Sequence, residues 1–152
     1  MRTIKFKAKG MKDGEWIVGD LVHALNDICI NPEHGFKKQQ RYLIAVDPDT
    51  VCQFTGLYDK NGKEIYEGDV LRSDRIPFGY IKGETGIKDD RYAVVIWLEE
   101  RGIFIIETHK KIDLPLFGVG LLSLRALQDF VIVGNINESE WQQFFLKKRI
   151  VL

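Results

Sequence analysis

The chain has 152 residues, of which 45% are hydrophobic and 29% are charged. This length and balance are typical of one soluble globular domain with a single well-buried core. Its 22 Lys and Arg residues equal its 22 Asp and Glu residues, so the formal net charge is zero. Because counterion release needs surplus positive charge, the composition does not favour binding to nucleic acid or to an anionic membrane.

Segments that would place the chain in a membrane are not predicted. Residues 1–10 alternate charged and apolar side chains and lack the apolar stretch of a signal peptide. The longest apolar run, 114–124, is shorter than the roughly 20 residues that span a bilayer. Two cysteines, Cys29 and Cys52, make no disulfide framework for a chain of this length. We therefore expect a protein of the reducing cytoplasm, with no membrane partner.

The N-terminal region predicts two strands. Apolar residues alternate with lysines over residues 4–9, which is the period-two pattern of a half-buried strand. Asp13-Gly14 then forms a tight-turn dipeptide and leads into a second strand at 15–18, which Gly19 interrupts.

A loop and a short strand are predicted next. Residues 26–41 are polar and contain Asn31-Pro32 and Gly35, so they are interpreted as a loop. A short strand is expected at 41–46.

The densest turn chemistry lies in QFTGLYDKNGKEIYEGDVL, residues 53–71. Asn61-Gly62 is a strong signal for a two-residue hairpin turn, because both residues tolerate positive φ. Gly68 indicates a bulge or sharp bend, and Asp69 is placed to accept local N–H bonds. We interpret Asn61, Gly62, Gly68 and Asp69 as the structural residues of this motif at 53–71.

A shorter pattern occurs twice in the chain. WIVGDLV (16–22) and IYEGDVL (65–71) both place Gly-Asp before two apolar residues, after an Asp-Gly or Asn-Gly turn. The pattern indicates that one hairpin-and-bend unit occurs twice, although two copies do not make a repeat architecture.

The second half of the chain predicts a mobile excursion, a hairpin and late helices. Residues 73–90 carry three glycines and many charges, so they are predicted to form a flexible excursion that is a candidate functional loop. The β-branched and aromatic segments 92–98 and 103–107 predict a hairpin. A short helix is expected at 121–128 and a strand at 130–136.

The C-terminal segment, near 138–149, predicts a helix. Trp141, Phe144 and Phe145 fall on one face of it and form a candidate partner-binding surface. The whole chain is therefore expected to be one mainly β domain over 1–152. Short antiparallel strands and hairpins would form a sandwich or a partly open barrel, followed by this helix.

Signatures of catalysis or metal binding are not found. His23, Cys29, His34 and Cys52 have spacings that match no paired-ligand zinc motif. The chain contains no GxSxG and no Gly-Lys-Ser/Thr phosphate loop. The sequence therefore predicts no enzyme, no metal and no cofactor.

Nucleic-acid binding by a small β-barrel is the alternative hypothesis. It would use basic residues interleaved with aromatic ones, a combination found on surfaces that bind single strands. The candidates are Lys5, Lys7, Lys37, Lys38 and Arg41. The balanced net charge does not favour this alternative.

The segment TVCQFTGLYDKNGKEIYEGDVL (50–71) resembles the YopX family of phage and prophage proteins. IKFKA near the start, WIVGDLV, and VIVGNINES (131–139) also resemble that family, so the likeness covers nearly the whole chain. Cys52 stands where the family commonly has glycine. The resemblance implies a mainly β fold and a phage or prophage context, and it supplies no activity or catalytic residue.

These observations together predict a non-enzymatic phage accessory protein that acts through protein–protein contacts. We expect a homo-oligomer that contacts an unknown phage or host protein. The expected contact surfaces are the aromatic helix face and the excursion at 73–90.

Overall fold

The computed structural model of this protein describes residues 3–33, 42–73, 92–108 and 130–149. They form two antiparallel sheets and a C-terminal helix, which confirms the predicted mainly β class. The chain divides into two compact units, Met1–Gly56 and Leu57–Leu152. Apart from Ser73, the predicted excursion lies outside the described residues, and so does the predicted short helix.

The strands and the helix are named in chain order. They are β1 (Phe6–Lys9), β2 (Trp16–Ala24), β3 (Asp27–Pro32), β4 (Ile44–Ala45), β5 (Cys52–Tyr58), β6 (Glu64–Tyr66), β7 (Asp69–Ser73), β8 (Tyr92–Leu98), β9 (Ile103–Thr108), β10 (Phe130–Asn135) and α1 (Ser139–Arg149). A 3₁₀ turn, Pro48–Thr50, precedes β5.

The first unit contains strands in the order β4-β3-β2-β1-β5, and β6 follows β5 in the same sheet. The β1–β2 hairpin turns at Asp13-Gly14, as predicted. Gly14 has φ +70°, and the Glu15 amide donates to Asp13 Oδ1 at 3.0 Å. The core of the unit lies on one face of the sheet. It comprises the buried residues Ala8, Ile30 and Val46, against which Ile17, Leu21, Ile28 and Val51 pack.

The loop prediction for residues 26–41 is wrong over β3. The ladder between β2 and β3 runs from Gly19↔Pro32 to Ala24↔Asp27, so β2 is also continuous through Gly19. Apolar side chains of β3 alternate onto the core while its polar side chains do not, which is the period-two pattern of a strand. The polar residues at its two ends obscured this alternation in the sequence.

Gly19 and Gly68 have different structural roles, so the repeated Gly-Asp pattern is not a structural repeat. Gly19 lies inside a strand, where an added Cβ would collide with the carbonyl oxygen of Asn31. Glycine is required there because β2 and β3 approach closely. Gly68 instead has φ +76° in the turn between β6 and β7.

The second unit contains a four-stranded sheet in the order β10-β7-β8-β9. The β8–β9 ladder, from Ala93↔Thr108 to Leu98↔Ile103, confirms the predicted hairpin. Apolar clusters form on both faces of the sheet. One comprises Ile65, Leu71, Ala93, Val95, Ile106 and Phe130. The other comprises Val70, Val94 and Phe145, which belongs to α1.

Replacing Gly19 by alanine is expected to destabilise the protein by about 3 kcal/mol, because the new methyl group must push two paired strands apart. Gly14→Ala is the matched control. Gly14 has open space around its Cβ position, so its cost is limited to the positive φ, about 1–2 kcal/mol. Urea unfolding of both variants measures the difference. Equal free energies of unfolding would contradict the close approach at Gly19.

Candidate functional site

The hairpin between β5 and β6 is organised by the Asp59 carboxylate, which is only 6% exposed. Its Oδ1 accepts from the amides of Asn61 at 2.8 Å and Lys63 at 2.9 Å. Gly62, with φ +77°, donates its amide to the Asp59 carbonyl at 2.9 Å. Asp59 Oδ2 accepts from the amide of Ile132 in β10 at 3.1 Å. One carboxylate therefore shapes the turn and binds a distant strand.

A second buried carboxylate, Asp69, lies at the start of β7 and is 1% exposed. Its Oδ2 accepts from the Tyr66 amide at 2.8 Å, and its Oδ1 accepts from Asn135 Nδ2 at 3.0 Å. Asn135 is also 1% exposed, and its Oδ1 accepts from the Asn137 amide at 2.9 Å. A buried polar group without a partner destabilises the fold, so each of these bonds is structurally important.

The turn at Gly68 completes this connection with backbone bonds. The Gly68 amide donates to the Val95 carbonyl at 2.7 Å, and its carbonyl accepts from the Ile136 amide at 2.7 Å. Together with Asp59 and Asp69, it ties the motif at 53–71 to the strand that precedes α1. The arrangement of these residues is that of a structural connection within the second unit.

The turn of the β5–β6 hairpin makes hydrogen bonds to the outer edge of β10. The Lys60 amide donates to the Phe130 carbonyl at 3.0 Å, and Asp59 binds the Ile132 amide. The ladder between β10 and β7 also shifts register between Ile132 and Gly134, which marks a bulge. Hydrogen bonds and bulges of this kind prevent an edge strand from pairing with another chain.

The opposite edge of this sheet is β9, a six-residue strand. In the part of the chain that the structure describes, β9 is the last strand of its sheet. Beside it, Trp97 is 40% exposed and stacks edge-on against Phe104, with ring centroids 4.9 Å apart. Sequence reasoning used these aromatic residues only as strand formers. Their place at an edge depends on strand order, which no local pattern encodes.

The aromatic face of α1 packs against the sheet of its own unit. Phe145 is 7% exposed and belongs to the cluster with Val70 and Val94. Trp141 and Phe144 lie 5.3 and 5.4 Å from Tyr92 between ring centroids. A Cβ at Gly134 would overlap the indole of Trp141, so this glycine allows the ring to lie on the strand. Contact of these three side chains with a partner remains a prediction.

The predicted basic residues do not form a single group in the described structure. Lys5 is 8% exposed, and its Nζ lies 3.2 Å from Glu33 Oε2. Lys7 Nζ instead lies 4.8 Å from the ring centroid of Trp16, on which Lys9 Nζ also lies at 5.4 Å. Sequence reasoning missed Trp16 as part of this group. Lys37, Lys38 and Arg41 lie outside the described residues.

The thiols of Cys29 and Cys52 are buried and form no disulfide. Within 3–33, 42–73, 92–108 and 130–149, no group of three or more His, Cys, Asp and Glu side chains is arranged to hold a metal ion. The same residues include no helix that is long and apolar enough to span a membrane.

A family profile described as "YopX protein" matches residues 5–140, which is most of the chain. The chain belongs to the YopX family. The matched range includes the motif at 53–71 and Asn135, so it contains both buried carboxylates and the strand that they bind. The resemblance seen in the sequence is therefore confirmed.

A solved structure has a similar fold. The crystal structure of protein EF1440 from Enterococcus faecalis aligns with a TM-score of 0.50 and 21% sequence identity, covering 92% of this chain and 97% of that one. At this identity the likeness shows the fold alone. No curated protein shows significant similarity to this chain.

Replacing Asp69 by alanine is expected to destabilise this YopX protein by about 3 kcal/mol, because the Tyr66 amide and Asn135 Nδ2 lose their buried acceptor. Asp27→Ala, at an exposed position in β3, is the control and should change stability by about 0.5 kcal/mol or less. Chemical unfolding compares the two. A small effect at Asp69 would show that this carboxylate does not hold the turn.

Proposed function

We propose that this YopX protein is a non-catalytic phage or prophage accessory protein. It acts in the host cytoplasm through protein–protein contacts, as a homo-oligomer that forms at the edge strand β9. The phage context is what the family resemblance implies. The choice of surface is supported by a contrast between the edges of the two sheets.

Among the strands that the structure describes, three of the four sheet edges have features that discourage pairing with another chain. β4 has two residues and β6 has three, so each offers few backbone groups. β10 is covered by hydrogen bonds from Asp59 and Lys60 and carries a bulge. Short or covered edges are the usual protection against unwanted strand pairing. β9 differs from all three, and this contrast is the observation that carries the proposal.

β9 is suited to pair with a second copy of itself. Its first four residues, 103–106, are all apolar, and the sequence IFIIET has high β propensity. Two copies of β9 can pair antiparallel about a two-fold axis, so that the same residues form both sides of the interface. Trp97, half-exposed beside this edge, adds the aromatic contact area that is common at the centre of interfaces.

The helix face of Trp141, Phe144 and Phe145 is a less suitable partner surface than β9. A partner that used all three side chains would have to displace α1 from the sheet. That step would expose Phe145 and the cluster that it covers. Burying a large aromatic side chain stabilises a fold by several kcal/mol, and a partner would have to replace this contribution.

Ile103→Lys is expected to convert the oligomer to a monomer without unfolding it. Ile103 is half-buried at the start of β9, and a charged side chain on an edge strand opposes strand pairing. Light scattering after size exclusion, over a range of protein concentrations, measures the mass. Leu146→Lys, at a 56% exposed position on α1, is the matched control and should remain an oligomer.

The outcomes of this experiment separate the possibilities. A wild-type protein that stays monomeric at all concentrations would overturn the proposed self-association. An oligomer that survives Ile103→Lys but dissociates with Leu146→Lys would move the interface from β9 to the helix. Circular dichroism of both variants checks that each is folded.

A second candidate function, binding of single-stranded nucleic acid, is favoured by one observation. Trp16 has two lysine ammonium groups, those of Lys7 and Lys9, within 5.4 Å of its ring centroid. An aromatic ring for base stacking beside cations for phosphates is the usual combination in proteins that bind single strands.

For this second candidate, Trp16→Ala should weaken binding of a fluorescent oligothymidine by about tenfold or more, because stacking contributes about 1–3 kcal/mol per base. Trp97→Ala, in the other unit, is the control and should bind as the wild type does. Two phosphate contacts would give a salt slope of about −1.4 for a single strand. No measurable binding at low salt would exclude this function.

A further inference from the structure

A cavity of about 250 Å³ lies in the first unit, where the residues before β1 meet the middle of β2 and the end of β3. It is lined by Thr3, Ile4, Lys5, Gly19, Asp20, Asn31, Pro32 and Glu33. One water molecule occupies about 30 Å³ in the liquid, so this volume is large enough for an organic group of several heavy atoms.

Two of the lining side chains stand next to each other across paired strands. The register of β2 and β3 places Asp20 directly opposite Asn31. Side chains at such positions lie on the same face of the sheet, with Cβ atoms about 5 Å apart. The Asp20 carboxylate and the Asn31 amide group are therefore close enough to contact one ligand.

Asn31 has an unusual feature among the residues that the structure describes. Its Oδ1 is shielded from solvent and has no hydrogen-bond partner. Buried acceptors in proteins are almost always paired, so an unpaired one indicates a missing donor or a side chain that rotates to meet one.

The charges in the lining favour a cation. Lys5 is 8% exposed and its Nζ lies 3.2 and 3.5 Å from the two carboxylate oxygens of Glu33. These two charges compensate each other, and the exposed Asp20 leaves one net negative charge among the lining residues. An anionic ligand would be repelled by Asp20 and would compete with Glu33 for Lys5, so the lining disfavours anions.

We propose that this cavity binds a cationic nitrogen group that carries N–H donors, a guanidinium or a primary ammonium. The positive charge lies against Asp20, and an N–H group donates to Asn31 Oδ1 after the amide turns toward the cavity. Both the small-molecule form of this group and an arginine or lysine side chain of a peptide share this chemistry. The inference is independent of the β9 interface, since none of these residues belongs to the second unit.

The test titrates the full-length protein with methylguanidinium chloride at constant ionic strength and follows proton–nitrogen NMR spectra. Shifts are expected at the backbone amides of residues 19–20 and 31–33, with a dissociation constant on the order of 1 mM, since one partly exposed charge pair gives modest affinity. Tetramethylammonium chloride is the control cation, because it has the charge without N–H donors. It should give smaller shifts that do not saturate.

Two variants and a matched control identify the residues that bind. Asp20→Asn removes the charge and Asn31→Leu removes the acceptor, and each should weaken methylguanidinium binding by about tenfold. Asp27→Asn makes the same change as the first variant at the far end of the β2–β3 ladder and should leave the affinity unchanged. The spectra themselves show whether each variant is folded.

The titration and the variants distinguish a specific site from non-specific cation binding. Saturable methylguanidinium binding that both cavity variants weaken supports the site. N-acetyl-arginine amide then separates the sources: tighter binding indicates a peptide side chain, and weaker binding indicates a small molecule. Shifts equal to those with tetramethylammonium would overturn the proposal, as would unchanged affinity in Asn31→Leu. In that case water molecules alone occupy the cavity.

Discussion

Two buried carboxylates, Asp59 and Asp69, hold the second unit together at the point where its hairpin, its sheet and its last strand meet. Each binds N–H groups close by in the sequence and also a group in or at the end of β10, more than sixty residues away. A carboxylate in such a place is stable only when donors satisfy its oxygens, because an unpaired buried charge is costly. Asp59 and Asp69 are therefore structural residues of the motif.

This constraint explains why the most polar stretch of the sequence is part of the fold. A run such as DKNGKEIYEGD looks like a solvated loop, yet Asp59 and Asp69 are both buried. The local part of their role, acceptance of turn amides, could be predicted because Asx turns depend on residues two to four positions apart. Their bonds to Ile132 and Asn135 could not, since nothing in either segment specifies the other.

Turns and hairpins, which depend on neighbouring residues, could be predicted from the sequence. Features that depend on contacts between distant segments could not. The place of the turn at Asn61-Gly62 and the β8–β9 hairpin were predicted because each depends on a few neighbouring residues. The predicted two-residue turn type was wrong, because three residues, 60–62, separate the paired Asp59 and Lys63, and Gly62 has positive φ whereas Asn61 does not. β3 was missed because its apolar alternation is short and polar residues flank it. The candidate surfaces were harder still: exposure of Trp97 and the pairing of Asp20 with Asn31 are consequences of strand order and register.

The covering of β10 by Asp59 and Lys60 also affects the size that an assembly can reach. If both outer strands of the four-stranded sheet were open, each added copy would present a new open strand, and growth would continue into a fibre. With β10 covered, β9 is the outer strand of this sheet, among the strands that the structure describes, that remains for pairing. Association through β9 would then end at two copies. The same carboxylate that shapes a turn would therefore set a finite stoichiometry.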